Sequence, residues 1–151
     1  MHIVIVWAWG SWISNLAHII WDLWYKNLVA IDAQESQITT ALKDKWIPVK
    51  IGHWKYDIKD DDIVIYSEAT KDSPEVQNAF TLNKEHHLPL KIWNYFEFLW
   101  ELSKYFRTVW IAGTNGKSSS TSLAIFAWKN CMPELGLWIV WALVPDLWNK
   151  S

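Results

Sequence analysis

Over the first hundred positions two hydrophobic patterns take turns, and their alternation lays out a fold. Short β-branched or apolar runs at His2 to Val6, Leu28 to Ile31, Val49 to Ile51, Ile63 to Tyr66 and Leu88 to Ile92 have the length and composition of buried strands. Between them, apolar residues recur at helical spacing. Ile13, Leu16, Ala17, Ile20 and Leu23 form a stripe within a helix predicted over Ile13 to Trp24, and Ile38, Ala41 and Leu42 form another over Glu35 to Lys45. Ser73-Pro74-Glu75 predicts a helix start, with a hydroxyl cap, a proline whose missing N–H costs nothing in the first turn, and an acid at the positive end of the dipole. That helix should reach about Lys84. Asn94 and Glu97 stand at capping-box spacing for a further helix ending near Tyr105.

Strands alternating with helices at these intervals predict an α/β fold, a Rossmann-like parallel sheet covered on both faces, over residues 1–105. The pattern restarts after Arg107 with a strand at Thr108 to Ala112, a glycine-containing loop, a helix at Lys117 to Lys129 and an apolar strand near Ile139 to Val144. Residues 106–151 are therefore expected to be the truncated start of a second α/β domain. No internal repeat or low-complexity segment interrupts either part.

The octapeptide Ala112-Gly113-Thr114-Asn115-Gly116-Lys117-Ser118-Ser119 sits between predicted strand and predicted helix, the context that a phosphate-binding loop requires. Its two glycines let successive N–H groups face an anion, and the helix N-terminus adds partial positive charge. Lys117 can reach terminal phosphates, and Ser118 can ligate Mg²⁺. The spacing is shorter than the common GxxxxGK[ST] form.

Charge and composition remove several classes. Fourteen Lys and Arg against sixteen Asp and Glu leave a net charge of −2, too balanced to hold nucleic acid or an anionic membrane by bulk electrostatics. An apolar fraction of 51% argues against disorder. No apolar run approaches the roughly 18 residues of a membrane span. The apolar amino end lacks the Lys or Arg of a signal peptide, so a cytoplasmic location is expected. One cysteine, Cys131, leaves no internal disulfide or multi-cysteine metal site, and it is expected buried or half-buried at a helix end. Asp60, Asp61 and Asp62 are expected to form a solvated loop, as are His86 and His87. Lys55 and Lys71 read as surface, and Glu68 as a cap or loop charge. For His53, at a strand's carboxyl end, ligand contact and structural hydrogen bonding stand equally open.

The unusual count is 14 Trp against 5 Gly. Average glycine usage of roughly 7% would supply about ten. Three of the tryptophans occupy Trp7-Ala8-Trp9-Gly10-Ser11-Trp12, the turn from first strand to first helix. A nucleotide-binding turn needs glycine there for positive φ and for close backbone approach to a pyrophosphate. Trp24, Trp46 and Trp128 fall where helices are expected to end, a place glycine favours. Most of the 14 are expected to be glycines in the living cell, encoded by UGA in a lineage that reads this codon as glycine. That reading is weakest at Trp21, Trp93 and Trp110. With glycine restored, the first turn becomes Gly-x-Gly-Gly-x-Gly.

Together these features resemble the Mur ligases, the amide-forming enzymes of peptidoglycan synthesis. The short GTxGK[ST] loop is similar to their ATP loop, and the restored first turn to that of the branch adding L-alanine to UDP-N-acetylmuramate. Asp32-Ala33-Gln34-Glu35-Ser36, Ile51-Gly52-His53, Ile65-Tyr66-Ser67-Glu68-Ala69, Ser73-Pro74-Glu75 and residues 95–104 look like further family segments. Trp141 and Trp148 fall at family glycines. One departure is Asn115, where the L-alanine branch usually has His; another is Ser119-Ser120 for threonines.

The resemblance implies transfer of the ATP γ-phosphate to the carboxylate of UDP-N-acetylmuramate, then attack by the amine of L-alanine. It also implies the sites. Trp7, Ala8, Trp9, Gly10, Ser11, Trp12, Asp32, His53 and Ser67 would bind the UDP-sugar, and Gly113, Thr114, Asn115, Gly116, Lys117, Ser118 and Ser119 would bind ATP. Lys117 and Ser118 would serve the chemistry, Ser118 as a Mg²⁺ ligand. The remaining catalytic groups would lie past Ser151, so this stretch alone is expected to be inactive. The alternatives are an NAD-binding Rossmann oxidoreductase or regulatory module, which leaves Gly113 to Ser118 unexplained, and a tryptophan-rich carbohydrate-binding protein.

Overall fold

In the computed structural model, residues 1–6, 11–23, 25–53, 56–85, 90–106 and 108–131 are described, with backbone alone at 11 and 12. The chain divides into two compact units, Met1–Phe106 and Arg107–Ser151.

The first unit is built on five parallel strands: β1 (Ile3–Val6), β2 (Leu28–Asp32), β3 (Val49–Ile51), β4 (Ile63–Tyr66) and β5 (Lys91–Asn94). Their order in the sheet is β3-β2-β1-β4-β5, with Ile3 opposite both Leu28 and Ile63. This is the Rossmann-like arrangement that the alternation predicts. Burial follows position. Every residue of β1 and β2 is buried, whereas the edge strands β3 and β5 are partly exposed. A strand covered on both faces needs apolar residues at every position, which is why Ile-Val-Ile-Val and Leu-Val-Ala-Ile run without alternation.

Helices α1 (Ser11–Asp22), α2 (Gln37–Asp44), α3 (Pro74–Glu85) and α4 (Tyr95–Ser103) return the chain between strands and follow the last one. On one face of the sheet, Val4, Val6, Val29, Ile31, Val64 and Tyr66 form a core with Val76 and Ala79 of α3. Of the stripe predicted for α1, Ile13, Leu16, Ala17 and Ile20 are buried, whereas Leu23 lies just past the end of the helix and is exposed. Burying each such aliphatic side chain contributes about 1.5–3 kcal/mol. Among the described residues no helix joins β3 to β4; Tyr56 and Ile58 of that connection pack on the same core.

The caps read from sequence are present. Ser73 Oγ accepts from the Val76 N–H at 3.4 Å, and Asn94 and Glu97 close a reciprocal capping box. Ser36 and Thr39 make a second box at α2 that was not foreseen.

Helix α2 ends in a Schellman closure. The Ile47 N–H donates to the Leu42 carbonyl at 3.0 Å and the Trp46 N–H to the Lys43 carbonyl at 2.8 Å. Trp46 at the C′ position has φ +62° and is 86% exposed. This closure normally takes glycine, and a bulky residue in that region costs about 1–2 kcal/mol. Trp46 therefore occupies a glycine position by geometry as well as by pattern.

Several expectations need correction. The fifth strand lies at Lys91–Asn94 rather than 88–92, because pairing with Ile63–Tyr66 sets its place. Asp62 is buried, not solvated: it accepts from the His2 N–H at 2.8 Å, the Tyr56 hydroxyl at 3.0 Å and the Lys59 N–H at 3.0 Å, tying the amino ends of β1 and β4. Burial and that bond to Asp62 push the Tyr56 phenol well above its ordinary range.

In the second unit, helix α5 (Lys117–Cys131) forms where expected, but 108–112 is not a strand. Val109 and Trp110 there are 81% and 57% exposed. An extended segment becomes a strand only beside a neighbour that takes its hydrogen bonds, and its expected partner near 139–144 lies outside the described residues. Trp128 does not close α5 but sits inside it, and Cys131 is exposed. Trp7, Trp9, Trp24, Trp141 and Trp148, as well as Lys55, His86 and His87, lie outside the described residues.

Candidate functional site

In open parallel sheets ligands bind outside the carboxyl ends of the strands, where successive connections leave toward opposite sides. Here that point lies between β1 and β4, neighbours in the sheet from which the chain departs toward β2 and β5 respectively. Several sequence-predicted residues collect at these ends. Trp7, Ala8, Trp9 and Gly10, which follow β1, lie outside the described residues; Ser11 and Trp12 begin α1.

Asp32 ends β2 and is only 3% exposed. Its Oδ1 accepts from the Gln34 N–H at 3.1 Å, which fixes the carboxylate over its own turn. One strand over, the Gly52 N–H donates to the Asp32 carbonyl at 2.7 Å, and Gly52 then turns with φ +98°. Only glycine adopts that angle without cost. The turn presents His53 beside the end of β2 rather than letting β3 continue.

His53 does not stand alone. Its Nδ1 lies 2.9 Å from Oε1 of Glu75, in the first turn of α3. Glu75 is a buried acid, and the sequence signal that contains it, Ser73-Pro74-Glu75, was assigned only to capping and the dipole. Nothing in the local pattern shows that a histidine 22 positions earlier meets it. Ser67, after β4, caps the short 3₁₀ turn Glu68–Thr70, and its Oγ is 3.3 Å from Thr70 Oγ1. Glu68 is indeed a local charge: its Oε1 accepts from Asn94 Nδ2 at 3.2 Å, joining the ends of β4 and β5. The β2–β3 pairing thus sets Asp32 beside Ile51 and Gly52, with His53 next in the chain, Glu75 meets His53 from α3, and Ser67 stands at the end of β4.

The second candidate site is the loop before α5. Gly116 has φ +73°, and its carbonyl accepts the first helical bond, from the Ser120 N–H at 2.8 Å. A Cβ at Gly116 would touch nothing within 4 Å, so the demand for glycine is conformational rather than steric. The Lys117 ammonium folds back over the loop and donates to the carbonyls of Gly113 and Thr114. Gly113, Thr114, Asn115, Gly116 and Ser119 are exposed and Ser118 half-buried. These features suit a polyphosphate with its Mg²⁺: a left-handed glycine, a helix N-terminus, a cation already over the loop and a hydroxyl one residue on.

Among the described residues no three His, Cys, Asp or Glu side chains gather to hold a metal, and no helix is long and apolar enough to cross a membrane.

No family model matches the chain. It is 35% identical over 126 residues to the UDP-N-acetylmuramate–L-alanine ligase of Clostridium botulinum, covering 81% of this chain and 26% of that protein. With the ligase of the same name from Caldicellulosiruptor saccharolyticus it shares 40% over 103 residues, 67% of this chain and 21% of that protein. The chain belongs to the Mur ligase family. The crystal structure of UDP-N-acetylmuramate–alanine ligase from Thermotoga maritima has the same fold, with a TM-score of 0.68 over 87% of this chain and 30% of that one, at 20% identity. The chain spans about a quarter of the length of the curated Mur ligases it matches.

Proposed function

We propose that this chain forms the UDP-sugar-binding part, and the opening of the ATP-binding part, of a cytoplasmic ligase that joins L-alanine to UDP-N-acetylmuramate. The 35% identity to a ligase of that name over 81% of this chain carries the reading. The sheet supports it by placing Asp32, His53 and Ser67 at or just past strand carboxyl ends. In this proposal residues 7–12 approach the pyrophosphate and Asp32 meets a ribose hydroxyl. Gly113 to Ser119 hold the phosphates of ATP, Lys117 neutralises charge on the transferred phosphoryl group, and Ser118 ligates Mg²⁺. The sugar carboxylate takes the γ-phosphate, the alanine amine displaces it, and an amide and inorganic phosphate result.

The tryptophans at 7, 9, 12 and 46 belong to the same reading. Glycine at these positions restores the turn that a pyrophosphate needs and relieves the φ of Trp46. The coding DNA tests this directly: UGA at these codons supports it, and UGG overturns it.

Calorimetric titration tests the binding function. UDP-N-acetylmuramate should bind the chain carrying glycine at 7, 9 and 12, and NAD(H) should not. Binding of NAD(H) without the UDP-sugar would favour the oxidoreductase or regulatory module instead. In the open reading frame that contains this sequence, phosphate release from ATP should depend on both UDP-N-acetylmuramate and L-alanine.

A further inference from the structure

We infer that Glu75 is a positioning residue for UDP-sugar binding, acting through the imidazole of His53. The inference rests on the UDP-sugar reading above and adds a residue to it. His53 Nδ1 and Glu75 Oε1 are 2.9 Å apart, the Glu75 side chain is 2% exposed and the His53 side chain 44% exposed. One partner is therefore anchored inside the fold while the other, just past the end of β3, is partly open to solvent.

Burying a carboxylate is costly unless it is paired and hydrogen-bonded, and the second residue of a helix is easily left in water. Glu75 is buried instead, and the N-terminal dipole of α3 and the bond to His53 both offset that cost. The bond has a chemical consequence. An ionised carboxylate only accepts, so the proton of the shared bond sits on His53 Nδ1. The ring is then held in one tautomer and one plane, with Nε2 as the ring nitrogen on the side away from that bond. His53 comes off Gly52 at the end of β3, and Glu75 begins the helix after β4, so the pair spans the switch point at which β1 and β4 part. A ligand lying across those strand ends would meet a histidine already oriented, with no rotamer left to fix.

A purely structural staple between the 52–62 connection and α3 would also use this pair, and the test separates the two roles. Titration of UDP-N-acetylmuramate into the full chain, with glycine at 7, 9 and 12, is compared for wild type, His53→Ala, Glu75→Gln and the double variant. Loss of one charge-assisted hydrogen bond predicts about tenfold weaker binding for Glu75→Gln at temperatures far below unfolding. In the His53→Ala background, Glu75→Gln should have no further effect, because the acid acts only through the ring. Binding unchanged by Glu75→Gln, or weakened equally in both backgrounds, overturns the inference. If wild type does not bind the UDP-sugar at all, the broader reading fails instead. A measurement on the unsubstituted chain guards against misfolded variants: ¹⁵N spectroscopy of His53 at pH 8.5 should find the ring proton on Nδ1. A proton on Nε2 alone would also overturn the assignment.

Discussion

The two strand-loop-helix segments at the head of each unit start from similar sequence patterns and end differently. In the first, β1 runs into α1 with all four strand residues buried and the helix stripe buried behind them. In the second, 108–112 is largely apolar and β-branched too but not a strand, and α5 buries Ile125 while leaving Leu123 and Phe126 each 70% exposed. The difference lies in neighbours, not in propensity. β1 has a parallel partner on either side; 108–112 has none among the described residues. A helix start and a left-handed glycine need only local residues, so the loop at Gly113 to Lys117 takes shape before any sheet supports it. A parallel strand is the opposite case, since all its hydrogen bonds come from elsewhere in the chain.

The largest expected effect tests that contrast. Leu16→Ala, in the buried stripe of α1, should cost about 2–5 kcal/mol in urea unfolding. Leu123→Ala, on exposed α5, should stay within about 0.5 kcal/mol. Equal losses would mean that α5 is buried as deeply as α1.

Function should divide in the same way. Lys117 donates to its own loop's carbonyls, and under the proposed function the phosphates of ATP would compete for it. Lys117→Ala in the full ligase should lower ATP-dependent phosphate release at least about a hundredfold, by analogy with removing one charge-stabilising donor. Affinity for UDP-N-acetylmuramate should not change. A weakened UDP-sugar affinity would show that the two nucleotide sites are not independent.

Much of the sheet unit was legible because its signals are short-range or strongly periodic. β3 and β4 fall on the predicted residues, and Ser73 and Asn94 cap the helices they were expected to cap. What was missed depends on residues distant in sequence. The edge strand β5 is placed by register with β4, so Leu-Pro-Leu before it misled the reading. Asp62 looks like one of three solvent-facing acids, yet the distant His2 N–H joins two local donors, Tyr56 and Lys59, in converging on it. His53 and Glu75 were each noticed singly, and only the fold brings them to 2.9 Å. The start of α5 after a left-handed Gly116 was legible for the opposite reason, since it is set by residues close in sequence.

A smaller effect sharpens the comparison at the level of single tryptophans. Trp46→Gly removes a left-handed bulky residue and should stabilise the chain by about 1 kcal/mol in thermal or urea unfolding. Trp100→Gly, inside α4, relieves no such angle and should destabilise by about 0.5 kcal/mol or more. Destabilisation at both sites would remove the structural support for glycine at Trp46.

The smallest effect is a pH dependence confined to the sheet unit. His18 on α1 has its pKa held below the ordinary 6.5, chiefly by burial and next by the Lys45 ammonium, with Asp22 opposing. The unfolded chain therefore takes up a proton that the folded one refuses. The stability contributed by neutral His18 is full above pH 6.5 and is lost as pH falls from there toward the lowered folded pKa. Within that window the slope cannot exceed about 1.4 kcal/mol per pH unit for one group. His18→Gln should flatten the fall in unfolding free energy below pH 6.5, whereas Leu123→Ala on α5 should leave the slope as it is. A slope unchanged by His18→Gln would place the titrating group elsewhere, and a slope altered by Leu123→Ala would mean that the two units unfold as one.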